Sequence, residues 1–383
     1  MALSSSFRLE IDQVAFEESS CVRKVMLNRP QKLNSLTFDM VSQIFKALEA
    51  YENDSTVKLV ILKGKGRSFC AGGDVTGIFY SGFGGHWSFA ARFYKKQLAL
   101  DYLIGTYKKP LVSLINGIVM GGGAGLSMHS RFRVVTENTV FAMPETSIGL
   151  FPDVGASYFL SKLPGHFGDY LALTGASIKG AEMLACGLAT HFVPSKNIAL
   201  LENALNEVTS SNPSTISSLI NKFSHTMDVK QGCAFERLEV INRCFSRKTV
   251  EEILQSLEKE AENGEEKWIK EAIRSMKSSS PTSLKITFSV MREGRKQNFE
   301  DTLHRDYLIA CHMAMRRVNN DFFEGLRALL FDEDKKPKWE PSRLELVSEE
   351  RVNKHFTKIE DTNWEKLELP FRRNTTIQRM ARL

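Results

Sequence analysis

The chain has 383 residues, 42% of them hydrophobic and 25% charged, and a net charge of +6. This composition suits a globular protein with a sizeable core and excludes a largely disordered or collagen-like chain. No apolar run reaches the roughly 18 residues of a membrane span, and no dense Lys/Arg block of the nucleic-acid-binding kind is present.

Met1 to Phe7 has no basic region followed by an apolar stretch and no Arg-rich amphipathic pattern, so neither a secretory signal nor a transit sequence is expected there. Cys21 to Leu27 reads as a strand. Thr37 to Tyr51 reads as a helix with Thr37 as its N-cap. Val57 to Lys63 is a second β-rich run, closed by the Gly64-Lys65-Gly66 turn. A long helix is expected over His86 to Leu103, a buried strand over Leu111 to Ile115, and shorter strands over Arg131 to Thr136 and Val140 to Phe141. This β-β-α alternation predicts an α/β core over residues 1–200.

Helical periodicity then dominates, giving a helical C-terminal region over 201–371. Its helices are read at Leu201 to Val208, Val250 to Ala261 and Trp268 to Met276, with a boundary at Ser278-Ser279-Ser280-Pro281. Asp332 to Pro341 reads as a surface run. Residues 372–383 read as a basic flexible tail that closes on Ala381-Arg382-Leu383, a small-basic-Leu tripeptide of the peroxisomal import type. The six cysteines, Cys21, Cys70, Cys186, Cys233, Cys244 and Cys311, form no CxxC pair and have no His at zinc-finger spacing. Free thiols in a reducing compartment are the expectation.

No GxSxG elbow, GxxxxGK[ST] loop, GxGxxG turn or HExxH helix occurs, so any enzyme here works without those devices. Three segments stand out instead: Ser68 to Asp74, Asn116 to Gly125 and Phe141 to Gly155. Glycine loops let a ligand approach bare backbone N–H groups, and the second loop opens a helix, where negative charge is favoured. Each loop alone is explained as well by tight packing. The third segment adds Glu145 after Pro144 in apolar surroundings, and Asp153 eight residues on. Burial and mutual repulsion raise carboxyl pKa values and can make a base, nucleophile or acid, while a helix cap and a turn explain the same two residues equally well. Cys70 has no His near it in sequence and reads as a small buried hydrophobe. His129, His166 and His191 lack metal-like spacing. Phe322 and Phe323 read as packing residues.

Taken in order, these segments resemble the enoyl-CoA hydratase/isomerase (crotonase) superfamily over roughly residues 10–200. The match begins at Leu27-Asn28-Arg29-Pro30 and Asn34-Ser35-Leu36 and continues through Cys70 to Asp74 and Gly121-Gly122-Gly123. The resemblance implies an α/β crotonase-like spiral of ββα turns with a helical C-terminal region. It also implies an oxyanion hole for a thioester carbonyl at the Gly73 and Gly122 amides, and makes Lys32 a candidate contact for coenzyme A, although a solvated loop lysine is an equal reading.

Hydratases of this family carry two catalytic glutamates, and the first falls here on Gly125. Phe141 to Thr146, Gly149 to Gly155, Ala189 to Pro194, Asp321 to Gly325 and Asp332 to Trp339 instead resemble the 3-hydroxyisobutyryl-CoA hydrolases, most closely the plant peroxisomal members. That resemblance implies thioester hydrolysis in valine catabolism, on 3-hydroxyisobutyryl-CoA and also 3-hydroxypropionyl-CoA. Glu145 would be nucleophile or base, and Asp153 an orienting and proton-passing group. Some relatives carry an acidic substrate contact where this chain has Lys96-Gln97, so Gln97 is a substrate-binding candidate whose neutral side chain departs from the pattern.

No metal and no cofactor beyond the CoA of the substrate is expected. The partners implied are the acyl-CoA, a second copy of the chain in a homo-oligomer, and a peroxisomal import receptor reading Ala381, Arg382 and Leu383; neither nucleic acid nor membrane is expected. The peroxisome is the expected compartment, with cytoplasm or mitochondrion as alternatives. An enoyl-CoA isomerase or hydratase, and a catalytically inactive CoA-binding relative, are the competing functions.

Overall fold

The computed structural model describes residues 12–225, 233–264 and 266–372. Both Met1 to Phe7 and the tripeptide Ala381 to Leu383 lie outside them.

Two sheets carry the first half. The six-stranded sheet takes β1 (Val14–Ser19), β2 (Val22–Leu27), β3 (Leu59–Gly64), β5 (Leu111–Ile115), β7 (Phe132–Val135) and β10 (His191–Phe192) in that order. Only β1 runs antiparallel to its neighbour; the other pairings are parallel. A smaller sheet orders β4 (Ser68–Cys70), β6 (Ile118–Met120), β8 (Val140–Ala142) and β9 (Ile178–Lys179). Each turn of chain therefore lays one strand in the large sheet and the next in the small one. A helix follows: α1 (Phe38–Asn53) after the hairpin, α2 (Val75–Gly84) and α3 (Ser88–Gly105) after β4, and α4 (Gly122–Met128) after β6. This is the expected ββα spiral.

The central strands β3 and β5 are nearly continuously apolar because both faces of the sheet are covered there. Side chains alternate between the faces. Val60 and Leu62 of β3 join the main core, which runs from Val14 through the C-terminal helices to Leu367. Leu59 and Ile61 join a second cluster with Leu201, Leu205, Ile216 and Ile220. That second cluster is supplied by the helices Ile198–Asn206 and Pro213–Asn221. The main core thus crosses residue 200 without interruption. Arg372, where the basic tail was read to begin, is buried against Glu52, with Nη1 2.6 Å from Oε2.

Strands β2, β3, β5, β7 and β8 and the helices α1 and α3 fall within two residues of their sequence-read bounds. Thr37 caps α1, its hydroxyl accepting from the Met40 amide at 3.2 Å. The edge strand β1 and the three-residue strands β4 and β6 went unread. The first offers exposed polar positions along its length, and the others are too short to show a period and sit inside the glycine motifs.

Gly123 joins the loops that follow β4 and β6, neighbouring strands of the small sheet. A Cβ built there would lie 2.2 Å from the Cys70 carbonyl oxygen, so α4 rests directly on the end of β4. At Gly77, inside α2, an added Cβ would meet nothing within 4 Å. Gly123→Ala is expected to cost about 1–3 kcal/mol in urea unfolding. Gly77→Ala, by contrast, is expected to be neutral or to stabilise by about 0.4–1 kcal/mol.

Candidate active site

The site forms where the loops after β4, β6 and β8 meet. Asn34, buried with φ 57°, organises the first. Its amide nitrogen donates to the Lys65, Ser68 and Phe69 carbonyls at 3.0, 2.9 and 3.2 Å, and its carbonyl accepts from the Arg29 amide at 2.8 Å. Leu36 then pairs with the loop, its N–H donating to the Gly72 carbonyl while its own carbonyl accepts from Asp74 N, each at 2.8 Å. Arg29 closes the turn on Asp74, 2.8 Å away. Gly72 sits at φ 115° and Gly121 at φ 49°, conformations that L side chains rarely adopt.

These constraints bring the two predicted amides together: a Cβ on Gly122 would lie 3.2 Å from Gly73 N. Both glycines line one cavity of about 540 Å³, with Glu145, Asp153, Tyr94 and Gln97. Among the described residues no backbone carbonyl accepts from either amide. Two adjacent N–H donors facing a largely apolar cavity can hold an oxygen that gains negative charge.

Glu145 opens the short 3₁₀ turn Glu145–Ile148 after β8. Its Oε1 would stand 2.8 Å from a Cβ on Gly121, which fixes the carboxyl beside the second glycine loop. Its Oε2 is buried with no hydrogen-bond partner. Burial, then the charge of Asp153, pushes the Glu145 carboxyl well above the usual carboxylate range. Asp153 is raised to about 8, first by burial and then by Asp306. Asp306 lies on the helix Phe299–Met315 and accepts from the Gly155 amide at 2.9 Å, so the C-terminal region holds the Asp153 loop in place. Arg305 balances Asp306 at 3.0 Å and also donates to Ser157. Burial and mutual repulsion of this kind are the means by which a pair of carboxyls can be set up as an acid and a base.

The chain carries sequence features consistent with this geometry. A family model described as enoyl-CoA hydratase/isomerase matches residues 22–356. The chain belongs to this family. Within the family it is 51% identical over 370 residues, 96% of this chain and 98% of the relative, to a protein of Arabidopsis thaliana named probable 3-hydroxyisobutyryl-CoA hydrolase 3. It is 50% identical to 3-hydroxyisobutyryl-CoA hydrolase 1 of the same plant, over 97% of this chain and 98% of that one. A solved family structure, a carnitinyl-CoA dehydratase from Mycobacterium thermoresistibile, superposes with a TM-score of 0.84 at 35% identity, covering 94% of this chain and 99% of its own. The crotonase-like fold and the hydrolase branch read from the motifs are both borne out.

The family pattern places a glutamate at position 125 in hydratases. Here a Cβ on Gly125 would already lie 2.8 Å from Val154 Cβ and 2.9 Å from both Asp101 carboxyl oxygens, so no glutamate fits. Gln97 lines the cavity. Lys32 is exposed on the Pro30–Lys32 turn and is not among the lining residues. Cys70 is buried, and burial pushes its thiol up to about 12, so it offers no thiolate. His129 contacts the Val154 carbonyl, His166 contacts Asp169 and His191 contacts Thr190. Among the described residues no cluster of three metal-ligating side chains occurs.

Sequence reading missed Tyr94, Asp101 and Asp306. It also missed the C-terminal wall of the cavity, to which Ser278, Gly325, Ala328, Leu329, Lys335 and Pro337 contribute. Arg327 clamps that wall through Glu324, Asp332 and Asp334. Asp101, alone among the apolar and aromatic residues Leu98 to Ile104 of its helix, was the available signal.

The raised Asp153 pKa has a stability consequence. Between the usual 3.8 and about 8 the folded chain keeps a proton that the unfolded chain has released, so folding stability falls as pH rises through that window. Asp153→Asn mimics the protonated form. The variant is expected to match wild type at about pH 4 and to exceed it by a margin that grows up to about pH 8, in thermal or urea unfolding.

Proposed function

We propose that the chain hydrolyses the thioester of 3-hydroxyisobutyryl-CoA, and also 3-hydroxypropionyl-CoA, to the free hydroxy acid and CoA, as a step of valine catabolism. One observation carries the reading. A single buried glutamate with an unpartnered oxygen shares a cavity with two adjacent amides that have no backbone acceptor. The names of the relatives support the substrate.

In this proposal the thioester carbonyl accepts from the Gly73 and Gly122 amides, and each donor lowers the barrier by about 3 kcal/mol as negative charge builds on that oxygen. Ionised Glu145 then either attacks the carbonyl carbon, giving a mixed anhydride that water cleaves, or takes a proton from the water that attacks. Protonated Asp153 gives its proton to the departing CoA thiolate. Every step uses side chains, backbone and water, so no cofactor is required. The blocked space at Gly125 disfavours hydration, which needs a second glutamate there.

The tripeptide Ala381-Arg382-Leu383 supports a peroxisomal address read by an import receptor, and self-association into a homo-oligomer completes the proposal.

The test is thiol release from 3-hydroxyisobutyryl-CoA, with crotonyl-CoA alongside. Wild type should release CoA from the first and leave the second unhydrated. Glu145→Gln should lose about 10³-fold or more in kcat while still binding CoA thioesters. Near-wild-type hydrolysis by Glu145→Gln would remove the assignment.

A further inference from the structure

Asp101 lies one helical turn beyond Gln97 on α3, in the run Leu98 to Ile104 that is otherwise apolar or aromatic. It is fully buried and is not among the residues lining the cavity. Gln97 Nε2 donates to Asp101 Oδ1 at 2.9 Å. In the structure the NH₂ end of the amide lies on Asp101, which accepts from it, and the amide carbonyl is turned away. Gln97 lines the cavity, is 2% exposed, and its Oε1 has no hydrogen-bond partner. Buried polar atoms left unpaired are rare in folded chains, and a fixed lone acceptor on a cavity wall points to a ligand that brings a donor.

Asp101 packs against Gly125. Its two carboxyl oxygens each lie 2.9 Å from where a Cβ on Gly125 would stand, so the absence of a side chain at that position makes the room the carboxyl fills. Asp101 lies outside the cavity lining and meets it through the Gln97 amide.

We propose that Asp101 is a positioning residue that aims the Gln97 carbonyl into the cavity to accept the hydroxyl proton of a β-hydroxyacyl thioester. The pair then sets the preference for hydroxylated over plain acyl chains. This rests on the thioesterase reading. A hydroxyl donates to the amide oxygen, whereas an acyl chain without one leaves that oxygen buried and unpaired, which a site built for the hydrogen bond penalises.

The experiment compares kcat/KM for 3-hydroxyisobutyryl-CoA and isobutyryl-CoA in wild type, Asp101→Leu, Asp101→Asn and the exchanged pair Gln97→Glu/Asp101→Asn. Wild type should favour the hydroxylated substrate. Asp101→Leu should lower the ratio by about 10-fold, through a greater loss on the hydroxylated substrate. Asp101→Asn should lower it less, because its own amide competes for either end of Gln97. The exchanged pair should bring it back to within about threefold of wild type, since Asn would donate to a carboxylate that again presents an acceptor to the cavity. An unchanged ratio in Asp101→Leu, or equal loss on both substrates, would overturn the inference while leaving the thioesterase reading intact. If Asp101→Leu does not fold, equal ratios in Asp101→Asn and the exchanged pair overturn it. Wild type that cleaves neither substrate overturns the thioesterase reading and this inference with it.

Discussion

The contact of Gly123 with the Cys70 carbonyl is the constraint on which the site depends. With 2.2 Å between that oxygen and the place a Cβ would occupy, only glycine lets α4 seat on the end of β4. That seating brings the Gly73 and Gly122 amides side by side. Asn34 and the Leu36 pairing hold the first loop, and Gly121 at φ 49° turns the second toward Glu145. Backbone donors fixed in this way need no reorganisation when charge develops, which is where such donors exceed water in stabilising an anion.

Electrostatics divides the work between the two halves of the chain. The spiral supplies Glu145, Asp153 and the amides. The helix Phe299–Met315 supplies Asp306, whose bond to the Gly155 amide and charge beside Asp153 fix that loop and raise its acid. Arg305 on the same helix offsets Asp306 without reaching the cavity lining. The helical region is therefore part of the site rather than an appendage, in keeping with a main core that runs without a break from the strands to Leu367.

Much of this was legible in the sequence, for physical reasons. Apolar runs marked β3 and β5 because both faces of the parallel sheet are buried there, and Thr37 marked α1 because its hydroxyl caps it. The ordered glycine loops and the Met143 to Gly155 segment pointed to the cavity because close approach and buried carboxyls demand those residue types. Three-residue strands such as β4 carry no period to read. The C-terminal wall was hidden for a different reason: Lys335 and Pro337 sit in a polar surface run, and only tertiary folding brings them over the cavity. Lys32 is exposed on the Pro30–Lys32 turn, outside the cavity lining.

The central claim is that the two glycine amides grip the thioester carbonyl. The most direct measurement is the infrared carbonyl stretch of 3-hydroxyisobutyryl-CoA, labelled with ¹³C at that carbon and bound to Glu145→Gln protein. Two strong donors should move the band to lower frequency than in water, with a narrower width from the single fixed environment. A bound thioester whose band stays at its solution position would contradict the account, because the oxygen would then lie outside the reach of Gly73 and Gly122.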